Sequence, residues 1–241
     1  MAAPELTELV APPSAGRVFE IEIRPGIADA GGDRRVRLDA IARWLQDLAH
    51  ADLRDAGFRE HGVWIVRRVR IRVEEFPKWP HGVRMRTWCS GLGRFTAERR
   101  SSFESSAGRA EAVALWVWLD AQSLRPRRFP EEFVETYGPS AEGRDPSTRL
   151  RHPDPPEGCE RRPWAFRATD VDVAAHVNNS HYWAPLEEEL SGRELDAFDA
   201  EIEYRDPAQP GPGYVLADGP MRWIASDANG ICASIAIASG V

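Results

Sequence analysis

The segment Arg167 to Glu188, RATDVDVAAHVNNSHYWAPLEE, places Asp170, Asp172, His176, Asn178 and Asn179 within ten residues, just ahead of a predicted helix. A carboxylate, an imidazole and a helix N-terminus together are the parts needed to hydrolyse an activated acyl group. Asp or His activates water, and backbone N–H groups at the helix start hold the oxyanion. No metal is required for that chemistry. The same residue types also make turns and helix caps, so Asn178 and Asn179 have a structural role open to them beside any contact with substrate.

The elements around this segment follow from hydrophobic period. VFEIEI, Val18 to Ile23, alternates as a strand with Phe19, Ile21 and Ile23 on one face. Leu38, Ile41, Leu45, Leu48 and Ala56 recur at helical spacing, with Asp39 able to cap the start and Gly57 the end. VWIVRRVRIRVEEF then sets Val69, Ile71 and Val73 opposite Arg70 and Arg72, and VRMRTWCSG, AERRSSFES and AVALWVWLD complete a run of strands to Asp120. One long helix followed by antiparallel strands predicts an α+β unit whose sheet wraps the helix, a hotdog-like unit. Residues 138–160, rich in Pro, Gly and charge, read as a linker. Beyond it the order recurs: a strand near Pro163 to Ala168, a shorter helix from about Ser180 to Leu190, and strands at AEIEYR, GYVLADG, PMRWIAS and ICASIAIAS. The expected organisation is a flexible tail over 1–16, one unit over 17–137, the linker over 138–160, and a second unit over 161–241 that carries the chemistry.

Composition narrows the function classes. A net charge of -7 over 241 residues opposes nucleic-acid binding, which needs a concentrated positive field. No run reaches the roughly 18–20 apolar residues of a membrane span, and the start of the chain lacks the pattern of a signal peptide, so a cytoplasmic protein is expected. Cys89, Cys159 and Cys232 are too few and too scattered for a disulfide framework or a zinc site. Lys78 is the single lysine among 31 basic residues. The arginines cluster at Arg67, Arg68, Arg70 and Arg72, at Arg84 and Arg86, and at Arg125, Arg127 and Arg128, through composition bias or as a docking patch for an acidic partner.

DVDVAAHVNN followed by Tyr182 resembles the D-x-D-x-N-x-H-V-N-N-x-x-Y signature of acyl-acyl carrier protein thioesterases, whose chains hold two hotdog repeats. LDAIARWLQDLAHADLRDAG is similar to that family's first helix, FPKWPHGVRMRTW to its Pro-x-Trp segment, AGRAEAVALWVWLDAQSLRPRRFPEEF to its strand and Arg-Pro turn, and IEYR to the strand after its second helix. The resemblance implies two tandem hotdog repeats, no cofactor or metal, and hydrolysis of fatty acyl-acyl carrier protein to free acid and carrier thiol. It implies catalytic roles for Asp172 and His176, with Asn178, Asn179 and Asp206 in support. Ala174 stands where the family has a catalytic Asn, Pro207 near its further acidic residue, and Pro185 within the second helix, where it is expected to kink the helix or delay its start. An acyl-coenzyme A thioesterase and a catalytically impaired acyl-binding protein are the alternatives. The implied partner is acyl carrier protein, with the enzyme a monomer or homodimer. Trp44, Leu48, Trp64 and Trp88 are candidates for an acyl channel in the N-terminal repeat or for plain core.

Overall fold

The computed structural model describes residues 4–58 and 62–238. Helix α1 spans Leu38–Asp55 and buries Leu38, Ile41, Leu45 and Leu48, the stripe its period foretells. Arg37, not Asp39, is its N-cap. Asp39 lies in the first turn, where its charge suits the helix dipole, and Arg37 Nε donates to it at 2.8 Å. The C-terminus closes on Gly57 at φ 83°, with Gly57 N–H donating to Arg54 O at 3.1 Å and Phe58 N–H to Leu53 O at 2.9 Å.

The strands are β1 (Val18–Ile23), β2 (Val63–Glu75), β3 (Val83–Leu92), β4 (Thr96–Ser105), β5 (Gly108–Leu119), β6 (Glu160–Phe166), β7 (Phe198–Tyr204), β8 (Gly211–Asp218), β9 (Met221–Ser226) and β10 (Gly230–Ile237). They form one antiparallel sheet in the order β1-β3-β4-β5-β2-β7-β10-β9-β8-β6. Read outward from the β2–β7 junction, the two sides follow the same order. The fold is α+β, a large antiparallel sheet with few helices on it. Val69, Ile71 and Val73 of β2 and Ala200 and Ile202 of β7 share one core with Ile41 and Leu45 of α1 and with Trp183 and Leu186 beyond the motif.

Alternation sends the other residues of β7 to the opposite face. There Arg68 stands across from Glu203, Arg70 from Glu201 and Arg72 from Asp199. Arg68 Nε donates to Glu203 Oε1 at 3.2 Å and Arg70 Nη2 to Asp199 Oδ2 at 2.6 Å. Arg68 and Arg70 of the first arginine group are therefore committed to a seam between strands, while Arg72 is exposed. The segment read as a flexible tail roofs this seam: Thr7 N–H donates to Glu201 Oε2 at 2.8 Å, and Arg100 Nε to Val10 O at 3.0 Å. Arg151, in the segment read as linker, adds its N–H to Glu203 Oε1 at 2.8 Å and its Nη2 to Glu201 Oε1 at 2.7 Å.

Two helices differ from expectation. Helix α2, Glu131–Ala141, has no counterpart in the sequence reading and runs into the predicted linker. It starts after Pro130 and buries Phe133, Tyr137 and Ala141 at a four-residue interval. In the second half a 3-10 turn, Asn179–Trp183, precedes helix α3, Ala184–Leu190. Pro185 occupies the first turn of α3, so the α-helix begins later than Ser180, the delay that a proline imposes. Among the described residues no helix is long and apolar enough to cross a membrane.

Helix α3 is clasped to the sheet by Glu189, which accepts from Arg222 Nε of β9 at 2.8 Å and Arg162 Nη2 of β6 at 2.6 Å. These guanidiniums, Arg222 foremost, hold the Glu189 carboxyl down at about 2. A depressed folded pKa stabilises above the unfolded value of about 4.3, and that contribution is lost as pH falls toward 2. Thermal midpoints measured from pH 5 down to pH 2 are expected to fall more steeply for the wild type than for Glu189→Gln; parallel curves would refute the clasp.

Candidate active site

The motif folds into a tight loop before the 3-10 turn. A first 3-10 turn, Ala168–Asp170, is closed by Arg167 N–H donating to Asp170 Oδ2 at 2.8 Å. Val171 and Val177 pair as an isolated bridge. Between them Ala175, at φ 61°, donates its N–H to Asp172 O at 3.0 Å, and Asp172 N–H donates to His176 O at 3.1 Å. The loop thereby aims the half-buried Asp172 side chain back over its own backbone. Asp172 Oδ1 accepts from Ala174 N–H and Oδ2 from Asn178 Nδ2, both at 2.8 Å.

Asn178 is the hub. Its Oδ1 accepts from Ser180 N–H at 2.9 Å, Ser180 Oγ at 2.8 Å and Gln46 Nε2 at 2.9 Å, while its Nδ2 also reaches Gln46 Oε1 at 3.3 Å. Gln46 belongs to α1, in the other half of the chain. It was not among the residues singled out from sequence. The available signal was its place on the α1 face formed by Gln46, Ala49, His50 and Leu53, spaced i, i+3, i+4, i+7.

Those four residues, with Trp64, Ala97, Arg99, Trp116 and Phe133, line a cavity of ≈ 180 Å³. Of the four channel candidates only Trp64 lines it. Trp44, Leu48 and Trp88 are buried core, with Trp44 against Phe103 at 6.5 Å between ring centres. The chain Asp172–Asn178–Gln46 thus connects a carboxylate to the wall of a largely aromatic cavity.

The remaining site candidates are placed differently. His176 shares the loop, but its ring Nδ1 lies 3.3 Å from Val177 O and bonds no carboxylate. The Asn179 side chain makes no hydrogen bond among the described residues; its backbone O accepts from Tyr204 Oη at 2.9 Å. Two of the N–H groups at the helix start are already committed, Ser180 to Asn178 Oδ1 and His181 to Asn178 O. Asp206 is exposed, and no hydrogen bond joins its side chain to Asp172, His176 or Asn178. Its loop touches the motif through other groups: Val177 N–H donates to Ala208 O at 3.0 Å, Ala208 N–H to Tyr182 Oη at 2.7 Å, and Gln209 Nε2 to Ala175 O at 3.3 Å. Burial pushes the Tyr182 hydroxyl above its ordinary range, so it stays neutral and can accept there.

The loop has a counterpart before α1. Gly26 N–H donates to Asp29 Oδ2 at 2.8 Å, Gly31 N–H to Arg35 O at 2.9 Å, Arg34 N–H to Gly31 O at 2.9 Å and Arg37 N–H to Asp29 O at 2.9 Å. Arg34 takes φ 66°, and Ala30 bridges Val36. Gly31, Arg35 and Arg37 stand where the motif has Asp172, His176 and Asn178, and Arg35 pairs with Glu187 of α3 at 2.7 Å. The larger cavity beside this loop, ≈ 770 Å³, holds charges of both signs; its Asp33 accepts from Arg35 N–H at 3.0 Å and is also met by the Arg35 guanidinium at 3.5 Å.

His152, Glu201 and Glu203 bring three donor atoms within 4.8 Å of one another, a geometry a metal could use. All four carboxylate oxygens already accept, from Arg68, Arg151, Thr7 and the His152 backbone, so the group is an ion network of the seam.

The acyl-ACP thioesterase N-terminal domain matches residues 16–137, and the C-terminal domain of the same family matches residues 154–213. An uncharacterized protein of Mycobacterium tuberculosis is 31% identical over 84% of this chain and 83% of its own. A chloroplastic palmitoyl-acyl carrier protein thioesterase of Arabidopsis thaliana is 26% identical, over 69% of this chain and 46% of its own. Two solved structures share the fold: an acyl-ACP thioesterase of Bacteroides thetaiotaomicron (TM-score 0.75, 14% identity, 91% of this chain and 96% of that one) and the 12:0-ACP thioesterase of Umbellularia californica (TM-score 0.70, 18% identity, 91% and 96%). The chain belongs to the acyl-ACP thioesterase family.

Proposed function

We propose that Asp172 is the general base with which this thiolester hydrolase cleaves fatty acyl-acyl carrier protein to free fatty acid and carrier thiol. The observation that carries the assignment is the carboxylate itself, fixed by Ala174 N–H and Asn178 and tied through Gln46 to the cavity wall. Asp172 takes a proton from water as the oxygen attacks the thioester carbonyl carbon. The tetrahedral oxyanion collapses, the C–S bond breaks, and the thiolate takes up a proton. With the Ser180 and His181 N–H groups committed, the His176 ring, the Asn179 side chain and the Asn179 N–H are the nearby motif groups left to polarise the carbonyl, and the His176 ring to return the proton. Asn178 acts on Asp172 and Gln46 and is a positioning residue.

The same proposal takes the chain as two hotdog units in tandem, residues 17–137 and 161–241 joined by 138–160. The matching strand order about the β2–β7 junction and the matching loops before α1 and at the motif support it. Internal pairing across that junction suits a monomer, or a homodimer built from such monomers, acting in the cytoplasm. In the third arginine group Arg125, Arg127 and Arg128 are all exposed, with Arg127 3.6 Å from Asp120, whereas Arg84 and Arg86 pair with Glu104 and Glu20, so the third group suits docking of an acidic carrier protein.

A second assignment, acyl binding without turnover, draws on one fact: residue 174 contributes only a backbone N–H. Free-acid release from a panel of acyl carrier protein thioesters separates the two. Wild type is expected to turn over and Asp172→Asn to lose about a hundredfold or more in kcat; an inert wild type that still binds the acylated carrier would favour silent binding. Coenzyme A thioesters of equal chain are expected to be poorer substrates, and parity would favour the coenzyme A alternative.

Charge reversal at Arg125, Arg127 and Arg128 together is expected to raise KM for the carrier thioester several-fold and flatten its salt dependence, with kcat little changed. An unaltered KM would move docking elsewhere.

A further inference from the structure

The cavity that Gln46 connects to Asp172 has a near end and a far end. Gln46, Ala49, His50 and Leu53 line it along one face of α1, and from Gln46 to Leu53 the helix advances about 10 Å, at roughly 1.5 Å per residue. Gln46 marks the end beside the base, through Asn178. Leu53 marks the end away from it. There Leu53 O accepts from Phe58 N–H at 2.9 Å, and the Phe58 ring meets Phe133 of α2 with 5.3 Å between ring centres. Leu53, Phe58 and Trp64 all pack on the cluster that contains Phe133. Among the described residues that line the cavity, Phe133 alone comes from outside α1 and the sheet. Its ring stacks on Phe129 at 4.5 Å and 15°, and lies 4.6 Å from Tyr137 and 5.9 Å from Trp64. A buried ring packed against so many others is held in one rotamer, because a close-packed interior leaves it no space to swing into.

Resting on the thioesterase function proposed above, we infer that Phe133 is a specificity-determining residue, the stop against which the methyl end of the acyl chain rests. The chain lies along the α1 face from Gln46 toward Leu53, and the Phe133 ring limits how far it runs. The wall suits hydrocarbon: Ala49, Leu53, Trp64, Ala97, Trp116 and Phe133 make most of it apolar, and the charge of Arg99 is met by Asp52 at 2.6 Å. The stop stands outside the repeated plan of helix and sheet. Helix α2 follows β5, and among the described residues no helix follows β10, the last strand of the second half. Length selection is therefore carried by an element that the motif-bearing half lacks, and α2 can change without disturbing Asp172 or Asn178.

The test reads kcat/KM over straight saturated acyl thioesters of one acyl carrier protein, from hexanoyl to stearoyl, for wild type and four variants. Phe133→Ala is expected to move the preferred chain longer and to raise kcat/KM for the next longer chain about tenfold, with Phe133→Leu moving it the same way by less. Ala49→Leu, which fills the cavity midway along α1, is expected to move the preference shorter. Phe129→Leu loosens the same aromatic stack from outside the cavity and is expected to keep the wild-type order of chains. Should Phe133→Ala fail to fold, Phe133→Leu and Ala49→Leu carry the test. An unchanged order in a folded Phe133 variant would overturn the inference, as would an equal shift in Phe129→Leu, and either result leaves the hydrolase function standing. The affinity of Asp172→Asn for each acylated carrier, with and without Phe133→Leu, separates the two claims. If wild type hydrolyses no chain while that affinity still shifts toward longer chains, the hydrolase function fails and the stop survives.

Discussion

The structure depends on the seam where β2 and β7 pair. Only this junction joins the two halves of the sheet, and it brings Gln46 of α1 within reach of Asn178 in the motif. Its apolar side is set by Val69, Ile71, Ala200 and Ile202 in the common core. Its outer side is set by arginines facing Glu203, Glu201 and Asp199. A slip of one residue would turn three carboxylates into the core and uncouple the arginines, so the charges specify register where apolar residues alone tolerate more. Burial of Glu201 and Glu203 is tolerable because residues 4–16 and the segment before β6 bring donors to every oxygen. The outer roof and the inner site are thus consequences of one strand pairing.

Two loops with nearly the same backbone sit at the starts of the two helical segments, and their side chains separate their roles. The left-handed residues Arg34 and Ala175 fall at the same point, with the same backbone hydrogen bonds around them. Where one loop carries Asp172 and Asn178 facing a neutral Gln46, the other carries Gly31 and Arg37, with Arg35 locked to Glu187. The ion pair anchors α3 as the amide pair anchors the motif to α1. Anchoring is common to both loops, and a carboxylate held without a guanidinium belongs to one.

Much of this was legible in the sequence because it is local. The alternation of VFEIEI gives β1 with its observed bounds, the stripe on α1 gives its buried face, and the motif gives Asp172 and Asn178 as neighbours. What escaped depends on distant partners or on signals that offset one another. Helix α2 was hidden because Pro130, Gly138 and Pro139 outweigh the spacing of Phe133, Tyr137 and Ala141. The anchoring of residues 4–16 could not be read from their own composition, since the acceptors and donors that hold them belong to β2, β4 and β7. Gln46 looked like one more polar residue on a helix, and its meaning comes from an amide 132 positions away. Asp206 was assigned by position along a strand end, whereas the chain turns there so that Gln209 reaches the motif loop.

The kind of donor holding each carboxylate sets Asp172 apart from the other acidic groups. Most of the buried acids in this arginine-rich chain are met by guanidinium: Asp52 by Arg17 and Arg99, Asp199 by Arg70, Glu203 by Arg68, and Glu189 by Arg222 and Arg162. A guanidinium favours the ionised form, and at Glu189 the two of them hold the carboxyl down at about 2. Asp172 is oriented instead by a backbone N–H and an amide, and no guanidinium hydrogen-bonds to it among the described residues. Amide donors fix direction without adding a formal charge. Residue 174 takes part through its N–H, a group that alanine supplies as well as asparagine does, so this hydrogen bond to Asp172 is kept despite the departure from the family pattern at Ala174.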